Sequence, residues 1–291
     1  MNRRQFGLLA VGGVLSATAT RIFAASPERS DFKVVVGIHT YSYRNHSLDQ
    51  ALAEMVKLGI TQCDLWQGHL LPLDPVGKDP RLARREWRTN TPLSFFVGIA
   101  ARFKQAGIRL HAYNYTFRED FSEGEVHGGF EAAAAMGVEV ITASASQAVL
   151  PRVALAAKQH KIRVGIHNHS KIVPNEFATP GDFEKAINGP GAEYLAIDLD
   201  LGHFTAANFD AVAFVQKHHD RIVGIRIQDR KRDQGDSVAF GQGHTPIKAV
   251  LTLLRDKRFP IPANVECEYR GKDPLAEIVR SVEFCRHALV G

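Results

Sequence analysis

The chain has 291 residues, 45% apolar and 23% charged, the proportions of an ordinary globular protein that can bury a full core without disulfide staples. Its formal charge of +5 comes largely from the first residues, where Arg3, Arg4 and Arg21 meet no acidic partner before position 26; the remainder carries 33 basic and 31 acidic side chains. That near balance leaves no basic stripe for phosphates and excludes a nucleic-acid partner as the leading expectation.

Residues 1–25 read as an export signal. Arg3-Arg4 precede a mild apolar run over 8–19, and Ala24-Ala25-Ser26 offers a cleavage site. The run is too short and too rich in small residues for a membrane span. The expectation is a twin-arginine leader, removed after the folded protein reaches the periplasm, with no span left in residues 26–291. The alternative is a cytosolic protein with a basic N-terminus.

From residue 33 onward, short apolar strands alternate with amphipathic helices eight times. Strands are predicted over 34–39, 61–66, 108–113, 138–142, 162–167, 194–199, 222–227 and 263–268. Ser47 caps the first helix, where Leu48, Ala51, Leu52, Met55 and Leu58 keep helical spacing. Further helices run from about Pro92 to Gly107, up to Gly137, over 148–160, from Thr179-Pro180, over 209–218, from Pro246, and over 274–289. Long connections at 67–92, 168–178 and 228–245 all follow strands. This is the pattern of a single (β/α)8 TIM barrel, whose chemistry sits at the C-terminal ends of the strands.

The residues that reach that rim are His39, Asp64, His69, Tyr113, His167, His169, Asp200, His203, Arg226, Glu266 and Glu268. Residues two apart on a strand share a face, so His167 pairs with His169, Asp198 with Asp200, Arg226 with Gln228 and Glu266 with Glu268. Buried carboxylates need a partner. Asp200 and Glu266 with imidazoles between them form a credible divalent-metal cluster; mutual salt bridges, for which Arg226 is well suited, are the alternative. Arg81, Arg84, Arg85 and Arg88 form a solvated face or, since their loop lies on the right side, a clamp for an anionic substrate. Asp229-Arg230 are placed to orient the loop after the seventh strand. Cys63, Cys267 and Cys285, an odd number without CxxC spacing, read as buried free thiols.

Five segments on the last four strands carry a family likeness: Ile166-His167-Asn168-His169, Asp200-Leu201-Gly202-His203, Ile225-Arg226-Ile227-Gln228-Asp229-Arg230, Phe240-Gly241-Gln242-Gly243 and Val265-Glu266-Cys267-Glu268-Tyr269. With Leu65-Trp66-Gln67-Gly68-His69, they resemble the sugar phosphate isomerase/epimerase family, the xylose-isomerase-like barrels, including exported members. The resemblance implies a divalent ion (Mn, Mg, Co or Zn) and chemistry on a carbohydrate-like polyol or ketose. Asp200 and Glu266 match ligand positions, and His203 matches a residue beside the metal that touches substrate. His167 stands where many members have glutamate, although an HNH variant occurs. Arg226 stands where a histidine ligand is usual, and a guanidinium cannot bind metal. Gln228, on the same face, offers an amide oxygen instead.

The expected metal set is therefore His167, Asp200 and Glu266. Glu268 or His169 is the expected base and His203 the acid, and Arg226 is the expected holder of the enediolate oxygen if no metal binds. His39, His69, Tyr113 and Gln228 are candidate substrate contacts, with Tyr115 beside them. The leading reading is an exported isomerase, epimerase or lyase, such as a 3-keto-glycoside lyase, that removes a proton next to a carbonyl on a small carbohydrate. A sugar-binding barrel without catalysis and a metal-dependent phosphodiesterase or abasic-site nuclease are the alternatives. The sequence leaves the oligomeric state open.

Overall fold

The computed structural model describes residues 32–72, 79–269 and 271–290. The export signal read at 1–25 lies outside these. Eight parallel strands close into one barrel in chain order: β1 Val36–His39, β2 Gln62–Trp66, β3 Arg109–Asn114, β4 Val140–Ala143, β5 Arg163–His167, β6 Leu195–Asp200, β7 Ile222–Ile227 and β8 Ala263–Val265. Ten helices are described: α1 Leu48–Lys57, α2 Pro80–Asn90, α3 Leu93–Gln105, α4 Glu123–Met136, α5 Leu150–His160, α6 Pro180–Asn188, α7 Leu201–Ala206, α8 Ala211–His218, α9 Ile247–Lys257 and α10 Pro274–Val290. None is long and apolar enough to cross a membrane.

Local chemistry sets these boundaries. Ser47, Ser122 and Thr179 close capping boxes with Gln50, Glu125 and Asp182. Gly137 ends α4 at φ 72°, a left-handed conformation that costs glycine little. Two helices depart from the sequence reading. The polar stretch read as loop contains α2, started by Asp79, whose side chain accepts the Arg81 N–H, and by Pro80 in the first turn. The short α7 follows β6 directly, with Asp200 as its N-cap. The three cysteines are buried free thiols.

The large apolar core lies between strands and helices, with Phe103, Phe130, Phe183 and Phe204 among its fully buried rings. Inside the barrel a small apolar plug of Ala112, Val140, Ala196 and Val223 fills the lower layer. Alternation then lifts Thr142 and Asp198 into the layer above it, and a register shift between β6 and β7 at Ile197/Asp198 brings Arg226 into the same layer. Cross-strand register confirms this parity: His167 lies beside Asp198, and Asp200 beside Arg226. Crowding is tight enough that a Cβ on Gly37 would sit 2.6 Å from the Gln62 carbonyl oxygen. The barrel interior is thus polar toward its C-terminal mouth, where the site forms.

Candidate active site

The floor of the mouth is a closed ring of buried polar groups. Arg226, 4% exposed, donates from Nε to Asp198 Oδ2 at 2.7 Å, from Nη1 to Glu266 Oε2 at 3.0 Å and from Nη2 to Thr142 Oγ1 at 3.4 Å. Thr142 donates in turn to Asp64 Oδ2 at 2.7 Å. His39 spans the gap, with Nδ1 3.2 Å from Glu266 Oε2 and Nε2 3.9 Å from Asp64 Oδ2. Burial opposes charge on Glu266, but His39 and Arg226 outweigh it and hold this carboxyl well below its ordinary range. Burial pushes Asp198 up to about 6, with Arg226 pulling the other way.

This ring changes three expectations. Glu266 is not a member of the metal-competent cluster, because a permanent cation with several donors has captured its carboxylate. Arg226, expected to hold a substrate oxygen, is instead directed into the floor, where each of its three nitrogens makes a hydrogen bond. His39, expected on the substrate wall, is 1% exposed and belongs to the same ring.

Above the floor stand His167, Asp200 and His203. One ligand atom from each lies within 4.8 Å of the others. Burial lowers the pKa of both imidazoles, assisted by Arg226 at His167 and by Arg230 at His203, which falls to about 3. Burial and the Glu266 charge raise Asp200 well above its usual value. Asp200 accepts the His203 N–H at 2.7 Å and the Gln228 amide at 2.7 Å. Asn168 locks it from β5: the Asn168 side chain takes the Asp200 N–H at 2.9 Å and donates to its carbonyl at 3.2 Å. Asn168, 0% exposed, was quoted in a motif but not read as a site residue; an amide between two rim histidines was the available signal.

The loop after β7 completes the wall. Asp229 gathers it by accepting N–H groups of Gly241 at 2.8 Å, Gly243 at 2.9 Å and Thr245 at 3.2 Å. Arg230 donates Nη1 to His203 Nδ1 at 2.5 Å, and Nη2 to the Gly235 carbonyl at 2.9 Å. A guanidinium only donates, so the neutral His203 ring carries its hydrogen on Nε2. Glu268 lies just beyond β8, with Ser237 donating to it at 3.4 Å. Burial first, then Glu266, raises its pKa. The half-exposed His169 ring stands 5.0 Å from His167 and 5.5 Å from His203.

Two expected substrate contacts are placed elsewhere. Tyr113 is fully buried and faces the helix layer against Tyr115, 5.8 Å between ring centroids, while its neighbour Asn114 turns inward to Thr142. A register shift between β2 and β3 at Cys63/Asp64 accompanies that choice of face. His69 points back to the Thr40 carbonyl at 3.0 Å and packs edge-on against Trp66. Gln228 is 1% exposed and serves Asp200 through its amide nitrogen.

The donors suit a divalent ion. A buried and a partly buried neutral imidazole with a carboxylate make a three-ligand set of the kind that leaves one position open, fitting zinc or manganese. His167 Nδ1 and Gln228 Oε1 are buried polar atoms with no hydrogen-bond partner among the described residues. Arg226 supplies positive charge, and no ligand, beside this set.

Fold and site together define a (β/α)8 barrel with a histidine–carboxylate cluster at its C-terminal mouth. The chain belongs to the xylose isomerase-like TIM barrel family, whose model matches residues 125–288. Its fold is similar to that of 3-keto-D-glucoside 4-epimerase YcjR from E. coli, apo form (TM-score 0.66, 13% identity, 88% of this chain and 100% of that one). It is also similar to L-ribulose 3-epimerase (TM-score 0.67, 14% identity, 89% and 95%). The IolI protein with a bound zinc atom is comparably similar (TM-score 0.66, 16% identity, 88% and 98%). No curated protein matches the chain.

Proposed function

We propose that this protein is a sugar or keto-sugar isomerase, epimerase or lyase that works by removing a proton next to a carbonyl. One observation carries the reading: a carboxylate with a raised pKa, Glu268, shares a mouth with a neutral imidazole, His203, whose tautomer presents an N–H. A base with a pKa moved toward neutrality can accept the proton. A neutral N–H donor can stabilise the enediolate oxygen that then develops, without itself needing to be charged. Glu268 takes the proton from the carbon, and His203 Nε2–H donates to the oxygen. Return of the proton to a neighbouring carbon gives isomerisation. Delivery of a second proton to the opposite face, from a His169 protonated by solvent, gives epimerisation, and Glu268 then releases the first proton to solvent. Loss of a β-oxygen gives elimination.

His167, Asp200 and His203 would hold a divalent ion here, and His203 would then have to give up its Arg230 contact or its Nε2 hydrogen, so ion binding and the Nε2–H donor role exclude one another. When bound, such an ion supplies Lewis-acid polarisation of the carbonyl. Asn168 fixes the Asp200 backbone, and the Gln228 amide and the His203 N–H fix its carboxylate. Family membership and fold likeness to two sugar epimerases support the carbohydrate assignment.

The test is solvent exchange. The purified chain is incubated in D2O with a panel of ketoses, aldoses and 3-keto-glycosides, and deuterium at the carbon next to the carbonyl is followed by NMR. Exchange that disappears in Glu268→Gln supports the reading. No exchange on any member of the panel would overturn it.

A further inference from the structure

The arginine-rich stretch singled out in the sequence borders a second cavity at the same mouth. It has a volume of about 540 Å³ and opens between the segment after β2, helix α2 and the segment after β3. Trp66 and Gly68 form one wall, next to the Trp66–Tyr41 and Tyr41–His39 ring contacts that lead to the floor of the site. Five arginines line it, Arg81, Arg84, Arg85, Arg88 and Arg118, against two lining aspartates.

Two of the arginines, Arg85 and Arg88, are held in place rather than waving in solvent. Glu125, 0% exposed, is fixed by the Ser122 N–H at 2.8 Å and hydroxyl at 3.0 Å. Its two oxygens accept Arg85 Nε at 3.0 Å and Arg88 Nη2 at 2.7 Å. Arg85 Nη2 goes to the Asp120 carbonyl at 3.0 Å, and the Arg88 guanidinium lies 4.3 Å over the Phe121 ring. One carboxylate thus orients two guanidinium groups and neutralises only one of them. Arg118 makes no ion pair among the described residues. Oriented forks with surplus charge are what a planar or tetrahedral anion requires.

We infer that this cavity is an anion subsite, taking the carboxylate of a sugar acid or the phosphate of a sugar ester whose body extends past Trp66 to the His203–Glu268 side of the mouth. The inference rests on the carbohydrate reading only for the body of the ligand.

Isothermal titration of the full chain with glucose, glucuronate, glucose 6-phosphate and inorganic phosphate tests it. At least one anionic sugar should bind about tenfold or more tightly than glucose, as a charge-assisted bidentate contact would give. Preference for glucuronate identifies a carboxylate subsite, and preference for glucose 6-phosphate a phosphate subsite. Arg118→Gln, which breaks no internal ion pair, should remove most of that gain and leave glucose unchanged. Arg85→Gln should do the same, with Arg88 still pairing Glu125 to keep the fold. Equal binding of all four probes, or anion binding unchanged in both variants, overturns the subsite. Anion binding without turnover of any sugar would instead sink the proposed reaction alone, and turnover of neutral keto-sugars only, unaffected by Arg118→Gln, the subsite alone.

Discussion

Arg230 donates to Nδ1 of His203 at 2.5 Å, and this one contact decides which face of the imidazole is a donor. The ring is partly buried and its pKa depressed to about 3, so near neutrality it carries a single hydrogen, on Nε2. Arg230→Met should free the tautomer. The expected result is a drop in kcat of about tenfold to a hundredfold with KM little changed. Nitrogen-15 NMR of the histidines should show the hydrogen redistributed between ring positions. An unchanged tautomer would show that Arg230 does not set it.

The floor ring makes Arg226 a structural cation. Replacing it with Met leaves Asp198 and Glu266 buried without their counter-charge, which costs about 3–5 kcal/mol. Urea unfolding should report that loss. Adding Asp198→Asn and Glu266→Gln to Arg226→Met should recover part of it, since the uncompensated charges are then gone. A triple variant no more stable than Arg226→Met would mean that packing, not charge, is what Arg226 provides.

Metal binding should follow the cluster rather than the family ligand pattern. Asp200→Ala and His167→Ala should each abolish binding of zinc or manganese in a titration with the purified chain. Glu266→Ala should retain it, since Glu266 is committed to Arg226 and His39. Loss of metal in Glu266→Ala with the fold intact would restore Glu266 as a ligand.

Glu125 offers a pH-dependent test far from the chemistry. Burial works to raise its pKa, but the Ser122 N–H and Arg88 win and hold it lowered. A carboxyl lowered on folding stabilises fully above its unfolded value and loses that contribution as pH falls through the folded one. Glu125→Gln should be less stable by about 2 kcal/mol at pH 7. The gap to the parent chain should begin to narrow as pH falls below about 4, the ordinary glutamate range, and close only once pH is below the lowered folded value. A gap that does not change with pH would show that the ion pairs contribute nothing.

The N-terminal reading stands as a proposal about sorting. Replacing Arg3 and Arg4 with Lys should leave the protein in the cytoplasm on cell fractionation. Undiminished periplasmic protein would rule out the twin-arginine route.

Eight strands, most helix boundaries and the rim to which the polar residues go were legible in the sequence, because each depends on local spacing and capping. Ser47, Thr179-Pro180 and Gly137 mark their helix ends by chemistry confined to a few residues. Asp229 and Arg230 likewise orient the loop that follows them. The partners of Arg226 were not legible. Its carboxylates lie on the flanking strands, 28 and 40 residues away, and only barrel closure decides that Glu266 faces a guanidinium instead of a metal cluster. Tyr113 shows the same limit at shorter range, since a one-residue register shift accompanies Asn114 facing inward and Tyr113 outward. The cavity behind Trp66 is a third case. The arginine run was visible as charge, but a buried glutamate on α4 is what converts two of those residues, Arg85 and Arg88, from a solvated face into oriented groups at the mouth. Periodicity says which residues share a face; which of them meet is set by strand order and register, to which each residue's own neighbourhood is blind.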